Sequence, residues 1–202
     1  MAAKLITAAS AYPVTAAEVK AHCRIDGNVE DSLVDAYVAA ATSFVEEYLG
    51  RSLMAQTWEV YFDDFANEML LPRGPVQSVS SVKYYDLSNA LQTADTALYV
   101  ADIVSDPQRV VKVSDATWPD TFDGINTVII RYVAGYETIP APIKHAIKLL
   151  VGDFYLVRED TLVERSVTPA YTNLRTRAAE LIAHHNEFMK SVQEATSSRI
   201  SR

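Results

Sequence analysis

One cysteine, six glycines and four histidines are all that a chain of 202 residues supplies of the types on which most site chemistry is built. The single Cys23 excludes an intrachain disulfide and fits folding in a reducing compartment. The glycines, at 27, 50, 74, 124, 135 and 152, are too scattered for a dinucleotide or phosphate-binding loop, and no Gly-x-Ser-x-Gly elbow occurs. His184 and His185 are neighbours. On a helix they point about 100° apart and cannot grip one ion as an i, i+4 pair does. His22 stands beside Cys23 with no zinc spacing around it, so a partly buried thiol is expected. No stretch reaches the roughly 18 apolar residues of a membrane span. The longest mildly apolar run, 36–45, is interrupted by Thr42 and Ser43 and has helical period. The N-terminal apolar stretch is too short for a secretory signal and is broken by Thr7 and Ser10. A soluble intracellular product is expected, with no membrane partner, no metal and no cofactor.

Basic charge is also short, and unevenly so. Residues 1–140 hold 9 Lys/Arg against 19 Asp/Glu, a net of −10, whereas residues 141–202 hold 9 against 7, a net of +2. The first two-thirds therefore lacks the basic face that phosphate demands. The last third could lie against an acidic or polar partner. Carboxylate pairs (Glu30-Asp31, Glu46-Glu47, Asp63-Asp64, Glu159-Asp160) are sequence neighbours. Glycosidase chemistry instead needs two carboxyls about 5–9 Å apart across a cleft. The 11 tyrosines and 2 tryptophans sit among acids, as in Tyr61-Phe62-Asp63-Asp64-Phe65, which suits core and subunit-contact roles better than base stacking. Arg158, Arg165, Arg175 and Arg177 form a local basic cluster. It reads either as a helix face paired with Glu159 and Glu180 or as a surface for DNA or an acidic partner.

What is present is pattern. After an irregular leader over 1–14, Thr15-Ala16-Ala17-Glu18 is a capping box that opens a short helix running to about Arg24. A second helix starts near Glu30-Asp31. Its stripe runs through Leu33, Val34, Tyr37, Val38, Ala41, Phe44, Val45 and Tyr48 and stops at Gly50. From residue 56 the period becomes two, and about six short strands follow, broken by turns such as Asp86-Leu87-Ser88-Asn89 and Ser105-Asp106-Pro107. No helix-length segment separates them, so an antiparallel meander is expected. Pro140 and Pro142 then lead into a helix with Ile143, Ala146, Ile147, Leu150, Val151, Phe154 and Tyr155 inward and Gly152 allowing close approach of a neighbour. A last helix, from about Ala170 to Met189, precedes a polar tail expected to be disordered in the free chain.

The fold class read from this is α+β: a bundle of about four helices with an inserted antiparallel β module and an extended C-terminal tail. Its divisions are an N-terminal helical pair over 1–54, the β module over 55–138, a C-terminal helical pair over 139–190 packing on the first, and a flexible tail over 191–202.

Seven ordered segments carry a resemblance. They are Val14-Thr15-Ala16-Ala17-Glu18-Val19-Lys20-Ala21-His22-Cys23-Arg24-Ile25-Asp26; Glu30-Asp31-Ser32-Leu33 with Ala39-Ala40-Ala41 and Phe44-Val45-Glu46; and Leu53 with Gln56-Thr57-Trp58, then Leu71-Pro72-Arg73-Gly74-Pro75-Val76 and Val79 to Tyr84. Trp118-Pro119, Arg131 to Tyr136, Ile139 to Ala146 and Tyr155 to Glu159 follow in order. Together they resemble the head–tail connector (adaptor) proteins of tailed bacteriophages and gene transfer agents, over roughly Val14 to Glu159. Thr42-Ser43 departs from the family's pattern, which often places a basic residue there, and the segment beyond Glu159 matches poorly. The resemblance implies a non-enzymatic virion protein of the neck, made in the host bacterial cytoplasm. It would form a homo-oligomeric ring, commonly a dodecamer, docked on the portal protein. Double-stranded DNA would pass through its lumen without sequence-specific binding, and a tail-side stopper or tail-completion protein would attach beneath. Carried over, portal binding falls on the last helix and tail, at Lys190, Arg199, Ile200 and Arg202. The alternatives are a stopper or tail-completion protein of the same joint, or a soluble small-ligand binder or enzyme using a cleft of the β module.

Overall fold

The computed structural model describes residues 1–156 and Ala183. The chain folds as two units, one built from residues 1–10 and 50–137 and the other from 11–49 and 138 onward.

The first unit is all-β. Its strands are β1 (Ala2–Thr7), β2 (Gln56–Phe62), β3 (Glu68–Leu70), β4 (Val76–Tyr85), β5 (Leu91–Thr93), β6 (Tyr99–Asp102), β7 (Arg109–Lys112) and β8 (Val128–Ala134). They form a five-stranded antiparallel sheet in the order β1-β2-β8-β4-β5 and a three-stranded one in the order β3-β7-β6. The expected meander is corrected here, because β8, the last strand in sequence, lies between β2 and β4. Along β8 every second residue (Val128, Ile130, Tyr132, Ala134) is buried, which is the demand a central strand must meet. Side chains from both sheets share one core, among them Val60, Met69, Val82, Val110, Ile130 and Tyr132. Phe65 stacks on Trp118 at 4.2 Å, with Tyr84 and Tyr99 close by, so these aromatics serve the core. Gly135 is required where it stands: a Cβ there would lie 2.3 Å from the Met54 carbonyl oxygen.

The irregular leader is a second correction. Ala2–Thr7 pairs with β2 as an edge strand, although all six residues are exposed. Main-chain hydrogen bonding recruits it, helped by Lys4 opposite Glu59, and a strand that buries no face leaves no alternation to read.

The second unit holds α1 (Ala16–Cys23), α2 (Asp31–Leu49) and α3 (Ala141–Leu156), which pack on one another. The capping box forms as the sequence requires: the Thr15 hydroxyl accepts from the Glu18 N–H, and the Glu18 carboxylate accepts from the Thr15 N–H. Gly50, at φ +64°, supplies the left-handed residue after α2. Val19, Val34, Val38, Ala41, Val45, Ile143, Ala146, Ile147, Leu150 and Val151 are buried. The stripe of α2 is wider than what its neighbours cover, since Phe44 and Tyr48 are exposed rather than inward. The fold is therefore α+β with three α-helices among the described residues. The expected fourth helix, apart from Ala183, and the tail lie outside them.

Candidate assembly surfaces

Three surfaces stand out on the described residues. The first is a groove of about 230 Å³ in the helical unit, between α1 and α3, lined by His22, Cys23, Lys148, Leu149, Gly152 and Leu156 among others. Its shape follows from the sequence. The capping box fixes the start of α1, and Gly152 keeps the floor of the groove open; a Cβ there would sit 3.5 Å from the Cys23 sulfur. The His22 and His145 rings meet edge to face at 5.6 Å. Burial, with His145 and Lys148 nearby, holds His22 below its ordinary pKa, and burial pushes the Cys23 thiol up. A thiol held protonated is not an activated nucleophile. Lys148 stands 3.7 Å from Glu18, whose carboxylate also feels Lys144.

The second surface is the pair Phe44 and Tyr48, one turn apart on α2. Their rings stack at 6.4 Å and are 50% and 48% exposed. Glu47 is exposed in the same turn. Single exposed apolar residues are ordinary, but two large aromatics stacked in solvent are not. Sequence reading caught the two residues as part of a stripe and missed their exposure. The signal was the stripe's width, which one pair of packing partners does not cover.

The third surface is a charged row across the five-stranded sheet: Lys4 on β1 opposes Glu59 on β2, which opposes Arg131 on β8, which opposes Ser81 on β4. Arg131 donates to Glu59 from Nε at 2.8 Å and Nη2 at 2.6 Å, and the Tyr61 hydroxyl donates to the same carboxylate at 2.6 Å. Glu59 is thus satisfied from two sides and reads as a structural anchor, not a reactive acid. Among the described residues no cluster of three or more His, Cys, Asp or Glu is placed to hold a metal, and no helix is long and apolar enough to cross a membrane.

The basic cluster Arg158, Arg165, Arg175 and Arg177, and the tail set Lys190, Arg199, Ile200 and Arg202, all lie outside the described residues. Of the pair Thr42-Ser43, which departs from the connector pattern, Thr42 is buried and its hydroxyl donates to the Val38 carbonyl at 2.7 Å, whereas Ser43 is exposed.

These features define a protein that presents surfaces, and comparison with known proteins says of which kind. The chain belongs to the head completion protein family, whose model matches residues 14–184, and with it to the head–tail connectors of phage-like particles. No curated protein sequence matches the chain. Among solved structures it is similar to a chain in the neck of an empty gene transfer agent particle computed with C6 symmetry, with TM-score 0.67 and 21% identity over 88% of this chain and 95% of that one. A chain in the virion of the native gene transfer agent particle gives TM-score 0.68 at 21% identity, covering 88% and 94%. One in the native neck computed with C12 symmetry gives 0.65 at 21% identity, again over 88% and 94%. The family places the chain among virion proteins of the head–tail joint.

Proposed function

We propose that the chain is a structural adaptor that forms a homo-oligomeric ring on the portal, extends the DNA channel and offers the surface to which the next tail-side protein attaches. The observation that carries this is the family match over residues 14–184, on a fold shared with chains of gene transfer agent necks. Charge supports it. A body with a net of −10 over residues 1–140 repels phosphate from the channel wall, so DNA slides instead of sticking. The C-terminal third, at +2, docks on the portal through Lys190, Arg199, Ile200 and Arg202, and the ring has about twelve copies. No step of this role needs a cofactor or a reaction.

The test is to mix purified chain with the portal of the same particle at micromolar concentration and examine it by electron microscopy and native mass spectrometry. A ring seated on the portal is expected. Free portal beside free chain overturns the reading. Membership of a head completion family also fits a second reading, a stopper that seals the filled head. Deleting the protein and finding tails attached to heads that leak DNA would support that one.

A further inference from the structure

Resting on the ring reading above, we infer that neighbouring copies join head to tail within the helical unit, with the Phe44–Tyr48 knob of one copy entering the α1–α3 groove of the next. Knob and groove are different surfaces of the same unit, one on α2 and the other between α1 and α3. An interface made of two different patches is heterologous, and repeated it generates a closed ring if the rotation closes. Two-fold pairing of like patches would stop at a dimer.

Size and charge both match. A cavity of about 150 Å³ takes a benzene ring, so a groove of about 230 Å³ admits one aromatic side chain and part of a second. Leu149 and Leu156 give that ring apolar contact, and Gly152 leaves the floor clear of a side chain. Glu47 flanks the knob, and Lys148, which stands 3.7 Å from Glu18 of its own copy, lines the groove and is open to a second carboxylate. Seating the knob therefore brings opposite charges together, which sets register and direction more than raw affinity. It also covers two aromatics that are otherwise half in water. Because a ring gives every copy two such contacts, closure strengthens an interface that is weak in isolation.

Cys23 makes the contact directly testable, because the chain's one thiol lies in the groove. In full-length chain carrying Phe44→Cys, mild oxidation with copper phenanthroline should give a ladder of disulfide-linked multimers on non-reducing gels. The ladder should vanish in Phe44→Cys with Cys23→Ser. Phe44→Asp should weaken ring assembly at least tenfold by native mass spectrometry while the circular dichroism spectrum and melting point stay near wild type, since Phe44 is half exposed. Glu47→Lys should weaken assembly, and adding Lys148→Glu should restore part of it. Rings that persist in Phe44→Asp with no ladder overturn this interface and leave the ring reading standing. Cross-links that stop at dimers and survive the loss of Cys23 mean a symmetric contact, and overturn it as well. A wild-type chain that forms no ring, alone or with portal, removes the ring reading and this interface with it.

Discussion

Glu59 and Tyr61 show how one residue holds a sheet face together. Burial alone would raise the Glu59 carboxyl, but hydrogen bonds from Tyr61 and Arg131 outweigh it and hold the group below its ordinary 4.5. The same contact pushes Tyr61 up to about 12, because its proton is committed to the carboxylate. The two shifts act at opposite ends of the pH scale. A depressed acid contributes stability above its unfolded value, so the Glu59 share is present above about pH 4.5 and is lost as pH falls below it. A raised phenol favours the fold while it is neutral, so the Tyr61 share is complete below 10 and fades as pH climbs toward about 12. Glu59→Gln should flatten the pH profile of urea unfolding at both ends and cost on the order of 1 kcal/mol near neutrality, discounted for partial exposure. A variant whose profile superimposes on wild type would mean that the pair contributes nothing to folding. No pattern in the sequence pointed to this triad. Glu59 and Tyr61 share a face of β2 as i and i+2, but only strand register brings in Arg131, 72 residues from Glu59 in the chain.

At the scale of elements, what could be read was what repeats. α1, α2, α3 and the strands of the two-sheet core announce themselves through a capping box, apolar stripes and period-two alternation, because each buries a face. β1 and β5 do not bury one; all their residues are exposed, so nothing in the hydrophobic pattern distinguishes them from loop. The order β1-β2-β8-β4-β5 was hidden for a related reason: alternation reports which face of a strand is inward and not which strand lies beside it. Turn chemistry, by contrast, was visible. Asp86 accepts from Ser88 N at 2.9 Å, Ser88 Oγ at 2.6 Å, Ala90 N at 3.0 Å and Gln92 Nε2 at 2.8 Å, tying the β4–β5 hairpin. Those donors, led by the Ser88 hydroxyl, hold the Asp86 carboxyl at about 2. Asp86→Ala should speed amide exchange across Leu91–Thr93 about tenfold or more and leave the core amides of β8 protected. In the wild-type protein the hairpin should loosen only as pH falls from 3.8 through about 2. Equal protection in the variant would show that pairing with β4 alone suffices.

Over the whole molecule the uneven charge takes on a direction. The net of −10 belongs to residues 1–140, which include the β unit and α1 and α2, and the +2 belongs to 141–202, which begin with α3. The helical unit thus joins the acidic part of the chain to the near-neutral part. Under the ring reading, contacts between copies and contacts with the portal use different stretches: α1, α2 and α3 for the former, the residues beyond α3 for the latter. The two functions should then come apart by truncation. Ser191–Arg202 offers only Val192, Ala195 and Ile200 as apolar residues, too little to add to a core, while carrying Arg199 and Arg202. Removing this stretch should leave the melting point unchanged and the copy number of the ring intact, and should weaken portal binding about tenfold, or ~1.4 kcal/mol. The loss should be larger at low salt than at high salt, because screening already suppresses the contribution of exposed charges when ionic strength is high. Surface plasmon resonance against immobilised portal at two salt concentrations reads both effects. Equal affinity with and without the stretch would move portal docking to Arg158, Arg165, Arg175 and Arg177, whose charge reversal is then expected to produce the same salt-dependent loss.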